Sequence, residues 1–208
     1  MSIRSRRRLP RVAVLCSGSG TNLQALMDAT RRGRLRAAIA LVISDRADAY
    51  ALIRARRAGI PAEHLAPSAF ASRAAYDAAL LRRLVRADIQ LVCLAGFMRI
   101  VGPSIVRRFR HRLLNIHPAL LPAFKGAHAV RDALAYGVKV TGVTVHFVDT
   151  GVDTGPIILQ AAVPLTGRER AATVLTRLHR LEHRLYPAAV RLVLAGKTRV
   201  VGRRVILA

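Results

Sequence analysis

Short unbroken apolar runs alternate along this chain with longer stretches whose apolar positions recur every three to four residues. Val12–Cys16, Ala37–Ile43 and Leu91–Ala95 are runs of strand length with no polar alternation, the pattern of strands covered on both faces, and Leu113–Ile116, interrupted at Asn115, reads as a fourth strand. Helical spacing fills the gaps: Leu23–Arg32, stopped by Gly33, and Tyr50–Ala58, stopped by Gly59 and Pro61. A further helical region has Ser68 as its expected cap, with Tyr76, Leu80 and Leu84 at i, i+4 and i+8. Val130–Tyr136 reads as a helix ended by Gly137, followed by two strands, Val140–Val148 and Pro156–Val163, around a glycine-rich loop. A long helix is predicted over about 170–194, with a kink expected at Pro187, then a small strand or hairpin over 200–207 around Gly202. This βαβα order predicts an α/β fold, a Rossmann-like, doubly wound and mostly parallel sheet with helices on both faces.

Composition narrows the class. At 208 residues and 52% apolar, the chain can bury one sizeable core and is not globally disordered. No apolar run reaches the ~18 residues of a membrane span. Nothing divides residues 11–208, expected to be one domain, and residues 1–10 read as a basic disordered arm. Its apolar sequel is too short for a signal peptide. Cys16 and Cys93 each sit within an apolar run, as buried free thiols of a reducing compartment would, and a cytoplasmic location is expected. The net charge is +24, and all but three of the 35 basic residues are arginine. Such a surface attracts polyanions. Yet the arginines are spread along the helices and aromatics make up only 4%, so the stacking residues of a single-strand binder are mostly missing. No specific nucleic-acid partner and no membrane partner is expected.

In a sheet of this type ligands bind beyond the carboxyl ends of the strands, where three polar sets stand. Ser17-Gly18-Ser19-Gly20-Thr21-Asn22 joins the first strand to the first helix, where free N–H groups suit a phosphate. It is neither a Walker loop nor a dinucleotide fingerprint, and by itself it is equally a capped turn. Asn115-Ile116-His117-Pro118 places an amide and an imidazole at i and i+2, on one side of an extended segment. That pair can hold an oxyanion and pass a proton, or simply cap a proline-bounded turn. Asp153, flanked by glycines in Gly151-Val152-Asp153-Thr154-Gly155, is either a turn residue or, if near His117, a charge favouring the imidazolium. His64, His111, His128, His146, His179 and His183 show no metal-binding spacing, and no metal is expected.

Taken together, SGSGTNLQAL, AGFMRIV, LLNIHPALLPAF, VTVHFVDTGVDTGPIILQ and LEHRLYP, in this order over about residues 11–195, resemble the phosphoribosylglycinamide formyltransferases. The resemblance implies that a formyl group passes from 10-formyltetrahydrofolate to the amine of glycinamide ribonucleotide, a step of purine biosynthesis, in a monomer or a homodimer. It carries catalytic roles to Asn115, His117 and Asp153. Asn115 and protonated His117 would stabilise the oxyanion, and Asp153 would keep His117 protonated. It carries phosphate binding to Gly20, Thr21 and Asn22 and a further substrate contact to Glu182. It assigns the folate to Arg73, Met98, Arg99, Ile100, Val101 and Asn115. The N-terminal half would thus bind phosphate, while the C-terminal half binds folate and does the chemistry. Within this resemblance the formyltetrahydrofolate deformylases and the methionyl-tRNA formyltransferases are the rivals, both expected to carry additional domains. A rival of another class is a non-catalytic polyanion binder on the same fold, in which His117 would do nothing.

Overall fold

The computed structural model describes residues 8–208, so residues 1–7 of the expected arm lie outside the described residues. Pro10 already belongs to the fold, its carbonyl accepting the Ala38 N–H at 2.8 Å. Nine strands form one sheet in the order β3-β2-β1-β4-β5-β6-β7-β9-β8. They are β1 (Arg11–Cys16), β2 (Ala38–Ser44), β3 (Ala62–His64), β4 (Leu91–Leu94), β5 (Leu113–His117), β6 (Val140–Phe147), β7 (Ile157–Pro164), β8 (Thr198–Val201) and β9 (Arg204–Leu207). The helices are α1 (Thr21–Arg31), α2 (Tyr50–Arg57), α3 (Arg73–Arg86), α4 (Pro103–Arg108), α5 (Ala129–Tyr136) and α6 (Ala171–Leu194).

The predicted α/β architecture is what the chain adopts. β3, β2, β1, β4 and β5 are mutually parallel, and β6 and β7 continue the sheet antiparallel. Residues of β1 are buried to both sides in alternation. Val12, Val14 and Cys16 enter one core with Leu23, Leu26, Leu52 and Leu178, while Ala13 and Leu15 enter a second with Leu80, Leu84, Ile105 and Phe109. Burial on both faces is why this strand carries no polar alternation. Chain order reverses at β1, whose neighbours are β2 and β4. The loops after β1 and β4 therefore flank the crevice that such a reversal opens.

Several expectations are corrected. The cap of α3 is Ser72, whose hydroxyl accepts the Ala75 N–H at 3.1 Å. Ser68 lies instead in a short 3₁₀ turn over Pro67–Ala69. Two elements were not foreseen: β3, three residues long with Glu63 and His64 exposed, and α4, a six-residue helix started by Pro103. Helix α1 starts at Thr21, two residues earlier than its apolar periodicity suggests. The α6 helix spans Ala171–Leu194 with Pro187 inside it. Both cysteines are free and buried, and burial pushes their thiols up to about 12.

Candidate active site

The loop after β1 enters α1 through Gly20, which has φ 72°. A Cβ on Gly20 would stand 2.7 Å from Cα and Cβ of Ala51, so helix α2 packs directly on this backbone. The Ala51 N–H donates to Gly18 O at 3.1 Å, and the Arg54 guanidinium donates to Ser19 O at 2.8 Å. Among the described residues, no side chain caps the first N–H groups of α1. Such groups point outward from a helix start and favour an anion.

Asn22 extends from this turn to α6, where its amide donates to Glu182 Oε2 at 2.8 Å. Glu182 is only 5% exposed, buried on the face of α6 that meets Asn22. One turn further along α6, the Tyr186 hydroxyl reaches Leu94 O at 2.9 Å and Leu114 O at 3.1 Å. A single helix face thus ties the loop after β1 to the backbones of β4 and β5. Among the described residues, Asn22 Oδ1 and His183 Nε2 are buried without a partner. His183 also lines a groove of about 600 Å³, with Thr21, Arg54 and four further arginines along it.

The second set converges on β5 and β6. Asn115 and His117 lie inside β5, paired with His146 and Thr144 of antiparallel β6. Period-2 geometry puts all four side chains on one face. The β6–β7 loop brings Asp153 to them. Its Oδ2 lies 3.3 Å from His117 Nδ1, and its Oδ1 accepts from Asn115 Nδ2 at 3.2 Å. The other ring nitrogen, His117 Nε2, is 2.7 Å from Phe124 O. Both ring nitrogens therefore face oxygen acceptors, an arrangement fully satisfied when the ring carries both protons. His117 is 4% exposed.

Burial works against the charge of Asp153. Hydrogen bonds from His146 and from the Gly126 N–H, with the charges of His117 and His146, prevail and hold its carboxyl down at about 2. The residue is kept at φ 50°, and Phe124 at φ 51°, so both loops of the site use the left-handed region at non-glycine positions. Thr144 anchors the turn after β5: its hydroxyl donates to Ala119 O at 2.7 Å and accepts the Leu121 N–H at 3.1 Å. The Leu121-Pro122 bond in this turn is cis.

Sequence reasoning missed His146. Its Nε2 stands 3.3 Å from Asn115 Nδ2 and 3.5 Å from Asp153 Oδ1, while its Nδ1–H donates to Phe147 O at 2.8 Å. The usable signal was the alternation of Thr144 and His146 on an otherwise apolar strand, a β-period rather than a metal spacing.

The loop after β4 carries the remaining predicted residues. Met98 and Ile100 are 71% and 57% exposed, whereas Val101 packs into the core beside α3 and α4. Arg73 donates to Ile100 O at 3.0 Å, and Arg99 lies over the Tyr76 ring with 5.4 Å to its centroid. Ser17 joins this loop to the first one. It donates to Asp45 Oδ1 at 2.6 Å and accepts the Met98 N–H at 2.9 Å. The two loops at the chain-order reversal are thereby one connected surface.

The sequence and the fold of this chain have counterparts among known proteins. The formyl transferase family profile matches residues 10–190. The chain belongs to the formyl transferase family. The trifunctional purine biosynthetic protein adenosine-3 of Drosophila melanogaster is 49% identical over 191 residues. That match takes in 91% of this chain but only 14% of the Drosophila protein. The phosphoribosylglycinamide formyltransferase of Bacillus subtilis is 37% identical over 92% of this chain and 98% of its own length. Among solved structures, glycinamide ribonucleotide transformylase 1 from Symbiobacterium toebii superposes with a TM-score of 0.96 at 53% identity, covering 100% of this chain and 98% of that one. Among the described residues, no group of three or more His, Cys, Asp or Glu is disposed to hold a metal ion, and no helix is long and apolar enough to cross a membrane.

Proposed function

We propose that this chain is a phosphoribosylglycinamide formyltransferase, which moves a formyl group from 10-formyltetrahydrofolate to the amine of glycinamide ribonucleotide. The observation that carries the reading is the meeting of Asn115 and His117 at the Asp153 carboxylate, 3.2 and 3.3 Å from its two oxygens, from two separate stretches of chain. The near full-length match to the Bacillus subtilis enzyme supports the choice of substrates.

The phosphate of the ribonucleotide sits on the backbone of Gly20, Thr21 and Asn22, with Glu182 fixing Asn22 and facing the same substrate. The folate lies along Met98, Arg99, Ile100 and Val101, with Arg73 and Asn115 completing its contacts. The residues fit it: two exposed apolar side chains stand on a loop stiffened by Arg73 and Ser17, a surface suited to a flat ring. The folate supplies the formyl group. As the amine bonds to the formyl carbon, negative charge grows on the formyl oxygen, stabilised by the Asn115 amide and by the His117 Nε2–H, which exchanges its contact with Phe124 O for the formyl oxygen. One such donor contributes about 10²–10³ in rate. Asp153, ionised at every physiological pH, orients the His117 ring and a water through which the proton lost by the attacking amine passes to the folate nitrogen, as the bond between that nitrogen and the formyl carbon breaks. Holding two substrates side by side supplies much of the remaining acceleration. Residues 11–208 act as one domain, phosphate-binding in the first half and catalytic in the second, in the cytoplasm, where buried thiols stay reduced.

The test is a spectroscopic assay of the purified chain with 10-formyltetrahydrofolate and three acceptors: glycinamide ribonucleotide, water alone, and methionyl-tRNA. Turnover with the ribonucleotide at least 100-fold above the other two is expected. Formate release without it favours a deformylase, and formylation of the tRNA alone favours the third branch.

A further inference from the structure

The carboxyl-terminal hairpin β8–β9 lies beyond the residues that match the family profile. It joins the sheet through one parallel pairing, Ile157 with Arg204. Its turn, with Gly202 at φ 59°, swings Arg203 toward the β6–β7 loop, and the guanidinium donates to Thr154 O at 2.9 Å. Thr154 directly follows Asp153, whose left-handed backbone persists only where its surroundings impose it.

From within, the loop is fixed by Asp149. Its Oδ1 accepts the Thr154 hydroxyl at 2.6 Å and the Gly151 N–H at 3.1 Å. Gly155 then passes so close to Phe147 O that no side chain fits there. All of these anchors belong to the loop itself or to the strand before it. From outside, Asn115, His117 and the Gly126 N–H hold the Asp153 carboxylate, while Arg203 holds the backbone beside it, from a hairpin beyond the residues that match the family profile.

We propose that Arg203 is a positioning residue: it holds the Asp153 loop in register with His117 and Asn115, and so makes the terminal hairpin part of the catalytic unit. The proposal rests on the reading of Asp153 as a member of a formyl-transfer site. It sets no new contact with a substrate. Its effect passes through the carboxylate, where a displacement of one ångström costs about 10² in rate.

The experiment compares wild type with Arg203→Ala, Arg203→Met and Arg203→Lys in the formyl-transfer assay, and in parallel follows the imidazole resonances of the seven histidines by NMR. With Arg203→Ala, kcat falls about 10-fold while KM for both substrates stays within twofold. The resonances of His117 and His146 shift, those of His64 and His179 do not, and Arg203→Lys recovers most of the rate. Arg203→Met keeps the length without a donor and carries the same readouts if the alanine variant does not fold. A folded variant with unchanged kcat and unchanged His117 and His146 signals overturns the proposal, as does a lysine variant as slow as the alanine one. If the wild type transfers no formyl group, the proposed function fails. The imidazole resonances then decide by themselves whether the hairpin holds Asp153.

Discussion

At the start of α1 the site is made of backbone, whereas on β5, β6 and the following loop it is made of side chains. Gly20 owes its identity to the 2.7 Å approach of Ala51 and to its positive φ, and what it presents is a set of N–H groups. Asn115, His117, His146 and Asp153 sit instead on two antiparallel strands and a strained loop, bonded to one another. Backbone donors are fixed by the fold and bind a charge that does not change during reaction. Side chains on converging strands can hold a proton and a developing charge at one spot. The first region should therefore govern affinity for a phosphorylated substrate and the second the rate.

The sharpest break in that division comes from Asn115→Ala. Removing this donor should lower kcat by about 10²–10³ and leave KM for the phosphorylated substrate within a few-fold, measured by steady-state kinetics. Gly20→Ala tests the other side. The new Cβ must displace Ala51 and adopt a positive φ, so KM for the ribonucleotide should rise about 10-fold, with kcat changed far less and Tm lowered by several degrees.

The smallest effect concerns acid stability. The Asp153 carboxyl lies at about 2 in the folded chain against an ordinary value of 3.8. Its contribution is present in full above the ordinary value and is lost as the pH falls from about 4 toward 2. It amounts to about 2 kcal/mol. Urea midpoints of wild type and Asp153→Asn should therefore differ most at pH 6 and converge toward pH 2. A constant difference would show that the carboxylate is not held by charge.

Most of the architecture was legible because burial on both faces writes strands such as Leu91–Leu94 as unbroken apolar runs. Elements with too little buried surface to leave a pattern were not. β3 spans three residues and shows two polar side chains to solvent, and α4 has six residues between Gly102 and Phe109. Ser68 and Ser72 are equivalent as local cap signals, and only the intervening 3₁₀ turn decides between them. That β6 and β7 run antiparallel was likewise hidden, since nothing local distinguishes their direction. Within the site, Asn115 and His117 were readable as an i, i+2 pair and Asp153 as either a turn residue or their charged neighbour, while the resemblance supplied Glu182. Their partners His146 and Arg203 act through pairing across strands and through a distant hairpin, relations that only the folded chain displays.

The division between a binding end and a reacting end is tested most directly by His117→Ala, with kcat and KM for glycinamide ribonucleotide measured at saturating 10-formyltetrahydrofolate. The account predicts that kcat falls by about 10²-fold or more while KM stays within twofold. A variant whose kcat matches wild type, or whose whole loss lies in KM, would contradict it.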